Sequence, residues 1–299
     1  MTDPDDRFER CSVQAALRGD PMIGSAFPAS RLLLVEQPGP WGRSGLLASR
    51  FDTALAHRLV AQLEGLGIRV VAIRRPGRHV PDGARRWAVV DCRPDHEAIR
   101  WGRFESDHDL LALDVPKLLG DTGRNSGAEA EYLVCAHGTH DACCAIRGRP
   151  VAAAIEARRP GRVWECSHVG GDRFAANVLV LPSGLLYGRV RPERAVRLVE
   201  LTDAGAVDTA ALRGRVGFSS AEQAAMVLAH EAFPGVGWRD VRVRAVDRAD
   251  PHRIIVRLWV AGAVITVAVG VLRAPPGWLT CQSGSPGRAV VYLPSLLSV

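Results

Sequence analysis

The chain has 299 residues, 47% hydrophobic and 23% charged, which excludes a disordered or fibrous protein and allows about two compact units with a small third. The formal net charge of +6 rests on arginine and a single lysine, Lys117, dispersed among acidic residues. No basic block interleaved with aromatics occurs, which argues against a nucleic-acid partner.

Met1 to Arg10 (MTDPDDRFER) holds four acidic residues and no apolar run, the opposite of a secretory signal, so the expected location is the cytoplasm. Arg31 to Glu36 (RLLLVE) lies between prolines and predicts a buried strand. Thr53 to Leu66 carries Leu55, Leu59, Leu63 and Leu66 on one helical face and stops at Gly67. Ile68 to Ile73 and Arg86 to Asp91 predict two more strands, completing an α/β half-chain. The turn formers Gly120 to Gly127 mark a boundary.

Beyond it, Tyr132 to Cys135 predicts a strand and Pro150 to Arg158 a short helix with proline in its first turn. Val163 to Cys166 predicts a strand, and Ala176 to Leu181 with Leu185 to Val190 a hairpin. Ser219 to Glu222 has capping-box spacing for a helix reaching about His230. Val241 to Val246, His252 to Val260 and Val264 to Val269 predict terminal strands. The uncharged stretch Leu258 to Leu272 is short for a bilayer span and contains the turn Ala261-Gly262, so it predicts two strands and no membrane helix.

Gly39-x-x-Gly42-x-x-Gly45 lacks both the dinucleotide glycine spacing and the phosphate-loop lysine, and predicts a turn with a packed Trp41. Neither a G-x-S-x-G elbow nor H-E-x-x-H is present.

The seven cysteines, in a reducing compartment, call for packing, catalysis or metal. Four of them, Cys135, Cys143, Cys144 and Cys166, cluster, whereas Cys11, Cys92 and Cys281 are scattered and read as structural, although the Cys281 loop could approach the cluster. Cys135 ends a strand and Cys144 follows a glycine-containing loop before a helix whose positive end favours thiolate. His168 and Asp172 follow the next strand, with Gly170-Gly171 between them allowing the two side chains to converge. His137 and His140 read as loop or outer hydrogen-bonding groups, Asp141 as the residue that fixes the turn, Arg173 and Asn177 as loop supports, and Trp164 as core.

C-x-H-x-x-x-D-x-x-C at Cys135, His137, Asp141 and Cys144, S-H-x-G-G-x-[KR]-F-A-x-N at Ser167 to Asn177, Y-G-R at Tyr187 to Arg189 and L-L-V-E-x-P-G-P-W-G at Leu33 to Gly42 together resemble the sucrase/ferredoxin-like family. The resemblance weakens past about residue 220. With the elements above, the expected architecture is an α/β protein in which a thioredoxin-like ferredoxin domain (128–217) follows an N-terminal α/β domain (1–122) and precedes a small α+β C-terminal unit (218–299). The resemblance implies a [2Fe-2S] cluster held by two cysteines and two histidines in the pattern C-x8-C with H-x3-H. Cys135, Cys144 and His168 match that pattern. Asp172 stands at the second histidine position, where a carboxylate suits Fe(III) and lowers the reduction potential relative to imidazole; Cys166 or Cys143 are the other candidates for the fourth ligand. The function expected is a cytosolic electron carrier serving an unidentified redox partner protein. Two rivals are a thiol-dependent oxidoreductase using Cys143 or Cys144, and a structural zinc module on Cys135, Cys144, Cys166 and His168.

Overall fold

The computed structural model describes residues 10–77, 83–120 and 129–298; the proposed boundary from residue 121 on, and the N-terminal acidic stretch up to Glu9, lie outside them. β1 (Arg31–Glu36) and β2 (Ile68–Arg74) run parallel around α2 (Thr53–Glu64). β3 (Arg85–Asp91) is antiparallel to β1, and β4 (Ala98–Phe104) is antiparallel to β3. The second half repeats this order. β5 (Glu131–Cys135) and β6 (Val163–Cys166) are parallel around α4 (Ala142–Glu156), and β7 (Val178–Leu181) and β8 (Leu185–Tyr187) follow antiparallel. α5 (Pro192–Asp203) then leads to β9 (Leu212–Arg215) on the outer edge.

β2 and β6 pair antiparallel at Ile73–Cys166 and Arg74–Glu165. That seam fuses the two quartets into one nine-stranded sheet, ordered β4-β3-β1-β2-β6-β5-β7-β8-β9. Its inner strands are buried on both faces, which is why they are written as unbroken Leu, Val and Ile runs without polar alternation. One face carries α2 and α4. On the other, the sheet curls: Trp101 of edge strand β4 folds over onto Trp164 of the central strand β6 with ring centroids 5.2 Å apart, and the two edges meet where Arg215 of β9 pairs with Glu97, just before β4, at 2.7 Å. Trp164 is fully buried core, as expected.

The second helix departs from expectation. It starts at Ala142, eight residues before Pro150, because the Asp141 carboxylate caps it by accepting the Cys143 N–H at 2.8 Å. Pro150 therefore sits inside the helix. It is tolerated because it lies on the exposed face, where water can serve the carbonyl deprived of a partner. Gly148 of this helix lies against the end of β5 so closely that a Cβ there would meet the Cys135 carbonyl oxygen at 2.1 Å.

The C-terminal unit comprises α6 (Ser220–Ala232) and an antiparallel sheet β10 (Val241–Asp250), β11 (Arg253–Val260), β12 (Ala263–Arg273) and β13 (Val290–Ser298). The capping box forms as expected, with the Ser219 N–H donating to Glu222 at 2.9 Å. Leu258 to Leu272 folds as two strands around Ala261-Gly262, both at positive φ. No helix among the described residues is long and apolar enough to cross a membrane.

Glu131, at the head of β5, is buried and accepts hydrogen bonds from Trp164 Nε1 (3.2 Å) and Arg162 Nη1 (3.1 Å). Burial pushes its carboxyl up to about 7 from an ordinary 4.5. A folded-state value above the unfolded one means that the protonated form stabilises the fold. That contribution is complete below about pH 4.5 and is lost as the pH rises through about 7. Urea titrations should show the wild type losing up to about 3 kcal/mol across this interval relative to Glu131→Gln, which stays neutral throughout.

Candidate functional site

The site forms at the C-terminal ends of β5 and β6, beside the seam with β2. Cys135 closes β5 and Cys166 closes β6, and the two are register partners. Cys144 reaches the same point from the first turn of α4, whose positive end stabilises negative sulfur. The loop after β6 brings His168 and Asp172. Donor atoms of Cys135, Cys144 and His168 all lie within 4.8 Å of one another. Asp172 Oδ1 is 3.3 Å from Cys144 Sγ, which donates to it, and 2.9 Å from His168 Nδ1. The four residues singled out at the family spacing thus converge.

Among the three buried sulfurs, the surroundings favour the charged form at Cys135. The facing thiols of Cys144 and Cys166 hold its pKa well below 9, whereas Cys144, whose single proton is shared between Cys135 and Asp172, is raised by Cys135, by burial and by Asp172. Burial works against a charged ring at His168, yet Asp172 and Cys135 outweigh it and push the imidazole up to about 9. In the neutral ring Nε2 accepts the Gly170 N–H at 3.1 Å, which leaves the ring proton on Nδ1. Nδ1 is buried and, although close to Asp172, lies off the line of a hydrogen bond.

The supporting groups come from both halves of the sheet. Gly170 and Gly171, at φ +81° and +78°, turn the chain between His168 and Asp172. Arg213 of β9 is buried beneath them and donates to the Gly170 carbonyl (2.9 Å) and Asn177 Oδ1 (2.7 Å), while Asn177 Nδ2 donates to the Gly171 carbonyl (2.9 Å). Asn177 is therefore a loop support, as expected. Arg173 pairs with Asp20 at 3.4 Å and leaves Asp172 to the histidines and Cys144.

The glycine-containing loop after β1 serves as the cover of the site. His137 Nε2 donates to the Gly42 carbonyl (2.7 Å) while its Nδ1 accepts the His168 N–H (3.2 Å), so both ring nitrogens are occupied by backbone. Thr139 Oγ1 donates to the Trp41 carbonyl (2.6 Å), and Trp41 is buried. His140 stacks on His168 with centroids 3.9 Å apart and places Nε2 3.8 Å from Asp172 Oδ2. Cys135, Cys144 and Cys166 are sealed from solvent, but the His168 and His140 side chains are 21% and 32% exposed and line an open groove of about 650 Å³ with Arg43 and Arg69.

Cys143 does not join this site. Although adjacent to Cys144, it projects about 100° away around the helix, 3.7 Å from Cys11 Sγ and 3.5 Å from Cys281 Sγ. Cys11 and Cys281, expected to be structural, are brought together by the fold, and the Cys281 loop approaches Cys143 instead of the first pocket. The Cys11 thiol donates to Cys143 and lowers its pKa to about 6. Cys92 is plain core, its thiol raised by burial. Arg213 and the cover loop carried no recognisable ligand signal in the sequence; only the glycines around Trp41 hinted at the latter.

No curated protein and no solved structure matches the chain. A family model described as sucrase/ferredoxin-like matches residues 22–214, a span that contains Cys135, Cys144, His168 and Asp172 and excludes Cys11 and Cys281. With well over half of its length matched, the chain belongs to the sucrase/ferredoxin-like family.

Proposed function

We propose that the chain is a thioredoxin-like ferredoxin, an electron carrier whose [2Fe-2S] cluster is held by Cys135, Cys144, His168 and Asp172. The observation that carries this reading is the convergence of two buried cysteines, an imidazole and a carboxylate at the ends of two adjacent strands. The donor set suits iron, with soft thiolates on one side and a histidine and a hard carboxylate on the other. His168 Nδ1 is buried without an aligned hydrogen-bond partner, and with the ring proton moved to Nε2 it would be free to hold a metal. Each quartet's β-α-β-β-β order also supports the thioredoxin-like assignment.

When bound, the cluster would supply a one-electron couple. The chain's own residues shape its use. Cys135, Cys144 and Cys166 keep water from the sulfur side, and the stacked pair His168 and His140 forms the exposed side, so electrons enter and leave through the groove. Arg43 and Arg69 border that groove, which suits a redox partner protein presenting an acidic face. Arg213 and Asn177 hold the His168–Asp172 loop in place from beneath.

Protein purified without oxygen should be brown, carry iron and inorganic sulfide in equal amounts, and bleach with dithionite. Asp172→His replaces a negative ligand with a neutral one and should raise the reduction potential by on the order of 100 mV in protein-film voltammetry. A colourless protein holding one zinc ion at Cys135 and Cys144, or a potential unmoved by Asp172→His, contradicts this ligand set.

A further inference from the structure

Cys11, Asp141, Cys143 and Cys281 form a second cluster on the far side of α4. Their donor atoms all lie within 4.8 Å of one another. The residues come from α1 (Cys11–Leu17), the first turn of α4 and the loop between β12 and β13, so the cluster ties both ends of the described chain to the helix that carries Cys144. Its spacing is that of one metal tetrahedron. Zinc bonds of roughly 2.3 Å to sulfur and roughly 2.0–2.2 Å to oxygen give edges of about 3.8 Å between sulfurs and about 3.6 Å between sulfur and oxygen. The structure has 3.7 Å for Cys11–Cys143, 3.5 Å for Cys143–Cys281 and 3.6 Å from Cys11 Sγ to Asp141 Oδ2.

We infer that Cys11, Cys143, Cys281 and Asp141 bind a zinc ion, three thiolates and one carboxylate closing a structural site distinct from the pocket of Cys135 and Cys144. Asp141 is held for this role on two sides. Oδ1 accepts the Cys143 N–H that starts the helix, and Oδ2 accepts Thr280 Oγ1 (2.8 Å) and the Cys281 N–H (2.7 Å). Outer bonds of this kind fix a metal-binding carboxylate in orientation. The Cys11 N–H donates to Cys281 Sγ at 3.4 Å, a bond that favours thiolate. Cys281 is exposed, which gives the ion its path in, whereas Cys11 and Cys143 are buried. On binding, the thiols that remain protonated release their protons to solvent, and no electron is transferred. Because Cys11 and Cys281 are 270 residues apart, one ion would fasten the N-terminal helix to the C-terminal loop.

The test uses the full chain purified without oxygen or chelator, with zinc and iron measured by mass spectrometry. The wild type should hold one zinc per chain besides any iron. Cys281→Ser and, independently, Cys11→Ser should lose that zinc with unchanged circular dichroism and unchanged iron content, whereas Cys144→Ser should keep it. Cobalt(II) added to metal-stripped protein should give the intense bands of tetrahedral thiolate coordination, absent in Cys281→Ser. Zinc at background in the wild type, zinc retained by Cys281→Ser, zinc lost only in Cys144→Ser, or a Cys143–Cys281 disulfide under these conditions would each overturn the assignment. The zinc readout is independent of iron, so it stands or falls separately from the electron-carrier reading.

Discussion

Replacing Cys144 with serine is expected to abolish iron binding, while the same change at its neighbour Cys143 is expected to leave iron in place and remove zinc. The two sulfurs are one residue apart in sequence yet face different clusters, Cys144 toward Asp172 at 3.3 Å and Cys143 toward Cys11 at 3.7 Å. Outer partners of metal ligands are worth about 10–100-fold in affinity, so loss of a ligand itself should lower iron occupancy by at least about tenfold. Metal analysis of both variants, with circular dichroism to establish folding, checks the pair. Equal iron loss in both would contradict the division of labour along α4.

Arg213→Ala is expected to destabilise the fold strongly. The guanidinium is almost fully buried and donates to Gly170 O, Asn177 Oδ1 and Ser25 Oγ, as well as to the Ser25 carbonyl. Burial lowers its pKa to about 9, a sign of how far it is removed from water. Truncation would leave these acceptors without a donor in the interior and open a void beneath Gly171, whose Cα side is pressed against the guanidinium. The expected cost is about 3–5 kcal/mol in urea unfolding, together with weakened iron retention because the His168–Asp172 loop loses its floor. Arg213→Lys should restore little, since an ammonium cannot span the same acceptors as the planar fork. A loss below about 1 kcal/mol would show that the loop is held by other means.

Much of the fold was legible because its signals are local. The strands β1, β2, β3, β5 and β6 announce themselves as apolar runs between breakers, and Cys135, Cys144 and His168 lie in short motifs. Other features depend on partners remote in sequence. β9 reads Leu-Arg-Gly-Arg and has no strand-like hydropathy, yet it is buried throughout because Arg213 is met by loop carbonyls and Arg215 by Glu97. The start of α4 was hidden by Pro150, which draws the eye to a helix beginning there, while the real signal was the cap Asp141. No spacing rule links Cys11 to Cys281, because only the path of the loop between β12 and β13 to Asp141 and Cys143 brings them together.

Electron transfer by this chain requires a two-iron centre in the pocket of Cys135, Cys144, His168 and Asp172. Electron paramagnetic resonance of dithionite-reduced protein, purified without oxygen, tests this most directly. One unpaired electron per chain is predicted, with the anisotropic signal of a reduced [2Fe-2S] cluster whose reducible iron has nitrogen and oxygen ligands, and the signal should vanish in Cys135→Ser. A silent spectrum from folded, iron-supplied protein, or a signal undiminished by Cys135→Ser, would contradict it.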